Sequence, residues 1–130
     1  MVKLDDYITS SGKYPERANS PELTKAVILY ATELLERVNK ALKHLNLADV
    51  KVSSGFRPSK VNSSVGGSKM SAHTIGQAID LEDRDQAISK AFTSDVLTMF
   101  DLYREDNDYT PTWAHLQIRP TRSGKRIFRP

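Results

Sequence analysis

Cysteine is absent from this 130-residue chain. That removes disulfides, thiolate metal ligands and cysteine nucleophiles together. Long apolar runs are missing too: nothing approaches the ~18 consecutive residues of a membrane helix, so no membrane insertion is expected. The first fourteen residues carry Asp5 and Asp6 and no apolar stretch, so the expectation is no signal peptide and synthesis in the cytoplasm. Charge of one sign is also scarce, with 19 Lys+Arg against 16 Asp+Glu for a net +3. Five of those bases (Arg119, Arg122, Lys125, Arg126, Arg129) sit after Ile118, where there is no acid. The other 118 residues hold fourteen bases and sixteen acids, a net of −2. The excess is a tail rather than a basic surface, and no nucleic-acid partner is expected. What is present, 38% hydrophobic and 27% charged residues, suits one soluble domain. That domain is expected to span 1–130, with an irregular polar arm over 1–20 and a basic tail over 119–130.

Helical spacing is clearest after Ser20-Pro21-Glu22, a good N-cap, first-turn and dipole combination. Leu23, Val27, Tyr30, Ala31, Leu34, Val38, Ala41, Leu42 and Leu45 then form one apolar stripe. Residues 50–56 read as a strand entering a glycine turn, and 59–72 as a small-residue loop. Residues 77–83 alternate as a strand, with Ala78, Asp80 and Glu82 on one side and Ile79 and Leu81 on the other. A helix follows at Ala87–Phe92. A second is predicted after Thr93-Ser94-Asp95, carrying Val96, Leu97, Phe100 and Tyr103. Residues 105–111 read as an acidic turn, 113–118 as a strand and 125–128 as a short edge strand. Helices and strands mix without a βαβ repeat, which predicts an α+β domain with an antiparallel sheet flanked by helices.

Histidine is limited to His44, His73 and His115. His44 falls near a helix end, where it offsets the dipole. Alternation on the last long strand puts His115 and Gln117 opposite Ala114, Leu116 and Ile118. Two imidazoles and one carboxylate, His73, Asp80 and His115, make three corners of a tetrahedral zinc site and leave the fourth for water. Zinc there would acidify that water and polarise a carbonyl. Spacing alone favours ordinary structural histidines over a metal site.

The neighbouring residues carry more. Ser54-Gly55-Phe56-Arg57, then Asn62 with Val65-Gly66-Gly67-Ser68, then Ser71-Ala72-His73 through Gly76, Ala78 and Asp80, and finally Trp113-Ala114-His115, occur in that order. The set closely resembles the zinc peptidases of the D-alanyl-D-alanine carboxypeptidase family, which include bacterial D,D-carboxypeptidases and many phage endolysins. Their metal site is like that of the hedgehog signalling domain. The resemblance implies His73, Asp80 and His115 as zinc ligands, Arg57 as the group that polarises substrate or stabilises an oxyanion, and Ser71 as a substrate contact. It implies a monomeric peptidoglycan peptidase, a D,D-carboxypeptidase or endopeptidase acting on stem peptides. A phage or prophage enzyme acting at the wall after release or injection suits the missing export signal.

One position departs from the pattern. Several members carry an acid three residues before the final histidine, where this chain has Thr112. A substitute base is expected from the acidic turn, with Asp108 first, ahead of Asp106 and Glu105; Glu82 shares the Asp80 face. Thr112 also keeps open the alternative of a non-catalytic zinc-binding structural or wall-binding module on the same fold.

Overall fold

The computed structural model describes residues 1–67 and 71–130; Ser68, the end of the Val-Gly-Gly-Ser run, lies outside them. Five strands form one sheet: β1 (Val52–Ser54), β2 (Ala78–Glu82), β3 (Tyr103–Glu105), β4 (Trp113–Gln117) and β5 (Ile127–Phe128). Their order is β1-β2-β4-β3-β5. All neighbours are antiparallel except β3 and β5, which run parallel. The fold is therefore the expected α+β class with a largely antiparallel sheet and helices.

Five α-helices accompany it among the described residues: α1 (Leu4–Thr9), α2 (Lys25–His44), α3 (Ser59–Ser64), α4 (Ala87–Ala91) and α5 (Ser94–Met99). The stripe on α2 buries Val27, Ala31, Leu34, Val38, Ala41 and Leu42. These join Ile79, Leu81, Ala114 and Leu116 of β2 and β4 in one apolar cluster. One sheet face thus makes the core, and alternation turns Asp80, His115 and Gln117 to the other. No described helix is long and apolar enough to cross a membrane.

Four expectations need correction. The helix starts later than Ser20-Pro21 suggested, because Ser20 to Leu23 close a turn of their own and the Thr24 hydroxyl takes the cap, accepting from the Val27 N–H at 3.3 Å. The segment 59–72 is not all loop: the Asn62 N–H reaches the Pro58 carbonyl at 2.9 Å and closes α3. Tyr103 is not helical. Asp101 adopts a left-handed φ of 52° just after α5, turning the chain so that Tyr103 enters β3. Residues 1–20 are not an irregular arm either. They fold as α1 and a 3-10 turn over Pro15–Asn19, and bury Tyr7, Ile8, Ser10 and Arg17.

Two glycines of the motif have plain packing causes. A Cβ on Gly55 would strike the Tyr7 carbonyl oxygen. Gly76 ends a 3-10 turn at φ +82°, where a Cβ would stand 2.5 Å from the Val27 carbonyl oxygen.

Candidate metal centre and its cleft

The pairing of β2 with β4 sets Asp80 directly opposite His115. Ser54 faces Asp80 from β1, beside a register shift in that strand. On the far side Tyr103 faces Gln117, so one step further along the same register brings Glu105 to His115; Glu105 in turn pairs with Phe128. A single row across the sheet, Ser54, Asp80, His115, Glu105 and Phe128, thus assembles groups from five separated stretches of chain. His73 arrives from outside the sheet. It lies on a 3-10 turn, Ala72–Ile75, whose cap is the Ser71 hydroxyl accepting from the His73 N–H at 3.3 Å.

Hydrogen bonds at the rear of each imidazole fix which nitrogen faces forward. His73 Nδ1 lies 2.8 Å from the Gly55 carbonyl oxygen, an acceptor, so Nδ1 carries the proton and Nε2 a lone pair. That Nε2 is buried without a hydrogen-bond partner and stands 3.3 Å from Asp80 Oδ2. For His115 the amide of Gln117 decides. Its nitrogen donates to the Arg119 carbonyl at 2.8 Å, so its oxygen receives the His115 Nε2–H at 2.8 Å. His115 Nδ1 is then left facing Asp80 Oδ1 at 2.8 Å, where it holds either a proton or a metal ion. Ligand atoms of His73, Asp80 and His115 all lie within 4.8 Å of one another, and all three residues are buried.

The His73 Nε2 lone pair faces the Asp80 carboxylate, and that of His115 Nδ1 joins it once its proton leaves, an arrangement that a cation among them relieves. The donor set therefore fits a divalent ion, with a coordination position to spare. Replacing Gln117 with Leu is expected to release the His115 tautomer and weaken metal binding about 10- to 100-fold. Competition titration against a chromogenic chelator reads this directly.

Electrostatics agree. Burial opposes the charge on Asp80, but the charges and hydrogen bonds of His73 and His115 outweigh it and hold the carboxyl well below the usual carboxylate range. Burial pushes the His73 imidazole down, only partly offset by Asp80. Burial also acts against His115⁺, but Asp80, Gln117 and Glu105 together raise it above an ordinary histidine. A raised value means the proton competes with metal to a higher pH than at a free imidazole. Metal affinity is expected to fall as pH drops through the histidine range, with about one proton released per ion bound near neutrality. Calorimetry in buffers of differing ionisation enthalpy measures that proton.

The three ligands open on a cleft of about 400 Å³, also lined by Arg57, Gly66, Gly67, Ser71, Glu105, Trp113 and Pro130. Arg57 makes no ion pair among the described residues, and its Nε is buried without a partner. Glu105 is half-buried. Burial raises its carboxyl above the ordinary range, with the charge of His115 acting in the opposite direction. Asp108 is exposed and lines no part of the cleft. Asp106 turns toward Arg129 at 3.8 Å, and Glu82 toward Lys13 at 3.9 Å. Of the four candidate acids, the cleft receives Glu105 rather than Asp108, the first expected from sequence. Three residues, Tyr103-Arg104-Glu105, carry no periodic signal that would separate this strand from the helical run before it. Gln117 shares the His115 face, and its role in fixing the imidazole emerges only from the Arg119 contact.

The family model for peptidase M15 matches residues 8–109, well over half of the chain, and includes Arg57, Ser71, His73, Asp80 and Glu105. The chain belongs to the peptidase M15 family. It is thus in the family of zinc D-alanyl-D-alanine carboxypeptidases that its motifs resemble, and membership supports a metallopeptidase. The M15 match stops short of His115, the third member of the metal set. No curated protein and no solved structure matches the chain.

Proposed function

We propose that this M15 protein is a zinc peptidase that hydrolyses amide bonds of peptidoglycan stem peptides next to D-amino acids, as a D,D-carboxypeptidase or endopeptidase. The carrying observation is the convergence of the His73, Asp80 and His115 donor atoms in one cleft with a half-buried Glu105 and an unpaired Arg57. Zinc held by the three ligands supplies Lewis acidity, lowering the pKa of water and polarising a carbonyl.

The remaining steps belong to the chain. The Glu105 carboxylate accepts a proton from the attacking water and returns it to the departing amine nitrogen, a general-base and then general-acid role that its place in the cleft supports. The Arg57 guanidinium, which has no ion pair among the described residues, is placed to meet the negative charge that develops on the carbonyl oxygen. Ser71 stands at the cleft wall, where its hydroxyl can contact the substrate backbone.

A carboxylate in the cleft, Glu105, supports the catalytic reading over a non-catalytic module, because it can serve where Thr112 cannot. In this reading the protein acts as a monomer, in a phage or prophage lytic setting, at the wall after release or injection. Digestion of purified cell wall, with mass mapping of the released muropeptides, tests the reading. Zinc-dependent cleavage products that vanish with chelator support it; bound zinc with no cleavage product overturns it.

A further inference from the structure

We propose that Arg17 is a positioning residue for Arg57, which makes the N-terminal segment part of the working site. The backbone leading to Arg57 is held group by group. The Gly55 N–H donates to Ser10 Oγ at 3.4 Å, and the Gly55 carbonyl accepts from His73 Nδ1 at 2.8 Å. The Phe56 N–H donates to the Tyr7 carbonyl at 3.2 Å, and the Phe56 carbonyl accepts from Arg17 Nη1 at 3.1 Å. The Arg57 N–H closes the series on the His73 carbonyl at 3.2 Å. Every partner is either His73 or a residue of the first seventeen.

Arg17 is the unusual member. It is buried, yet no carboxylate pairs with it among the described residues. Its guanidinium bonds two neutral oxygens, Phe56 O and Ser10 Oγ, and lies over the Tyr14 ring at 4.0 Å. Burying a guanidinium without a counter-ion is costly, and an apolar side chain would fill the same space more cheaply. What an apolar side chain lacks is the donor that fixes the Phe56 carbonyl. Burial lowers the Arg17 guanidinium from its ordinary value; Tyr14 and Glu16 act against that, and the charge of Arg57 adds to it. Arg57 itself lines the cleft. Phe56 is fully buried and Gly55 has no room for a side chain, so the Arg57 backbone has little slack once these bonds are made.

The kinetic part of the test rests on the peptidase reading; the spectroscopic part does not. Arg17→Met and Arg17→Lys are prepared in the full, zinc-loaded chain, each with and without Arg57→Ala. Arg17→Met is expected to lower kcat/KM about 10- to 100-fold with Arg57 present and less than about threefold on the Arg57→Ala background, with zinc stoichiometry unchanged. Arg17→Lys, which keeps the charge and one donor, should fall between. Independently, the Arg57 Nε–H signal in nitrogen-15 NMR should shift or broaden in Arg17→Met. Equal losses on both backgrounds, or an unmoved Arg57 signal, overturn the proposal. If Arg17→Met does not fold, Arg17→Lys alone decides by the same two measurements. If the parent protein cleaves nothing, the peptidase reading fails and the Arg57 signal alone decides this one.

Discussion

Glu105→Gln is expected to lower kcat about 10²- to 10⁴-fold while zinc remains bound at full stoichiometry. The range is that of a lost general acid–base group. Gln preserves the shape of the side chain at the end of β3 and its place in the cleft, so Tyr103–Glu105 should still pair with β4 and β5. It removes only the ability to take and return a proton. The acidic limb of the kcat profile that belongs to the Glu105 carboxyl should vanish in the variant. The matching change at Asp108, Asp108→Asn, should leave kcat within about twofold, since that side chain is exposed and outside the cleft. A large loss at Asp108 and none at Glu105 would return the base to the acidic turn.

Asp80→Asn should abolish cleavage altogether and drop bound zinc from about one per chain toward zero after dialysis. The reason differs from that at Glu105. Asp80 is the one anion of the ligand set, and both histidines are oriented on it, His115 Nδ1 at 2.8 Å and His73 Nε2 at 3.3 Å. An amide in its place can still bond to one imidazole, but it supplies no negative charge to a dication in a buried site. Metal analysis and wall digestion on the same sample separate this outcome from that of Glu105→Gln, in which the metal stays and the rate falls. Retention of zinc by Asp80→Asn would remove Asp80 from the ligand set.

Much of the site could be read from local pattern. A strand's period of two put Asp80 opposite Ile79 and Leu81, and His115 with Gln117 opposite Ala114 and Leu116. The structure agrees, with the apolar members in the core and the polar ones on the site face. The α2 stripe was equally clear, because a 3.6-residue period over twenty residues leaves little room for another reading. Short elements were not readable in this way. Three residues of β3 give no periodic signal, and a preceding helical run swept Tyr103 into the wrong element. The first twenty residues read as polar because, beside the core side chains Val2, Tyr7 and Ile8, they act through backbone groups and a buried arginine. Hydropathy does not register a Tyr7 carbonyl or an Arg17 hydrogen bond.

The sequence by itself determined the chemistry on offer. With no thiol in the chain, any metal site had to be built from nitrogen and oxygen. With three histidines, few sets of ligands were possible, and ordered motifs pointed to one. Only the tertiary structure decided how that chemistry is arranged. The pairing of β3 with β4 brought Glu105 to the cleft and left Asp108, three residues on, outside it, because strand register is set by hydrogen bonds between distant segments and not by local spacing. The same non-local contacts chose the free nitrogen of each imidazole, through the Gly55 carbonyl and the Gln117 amide. They also laid the N-terminal segment beneath Arg57.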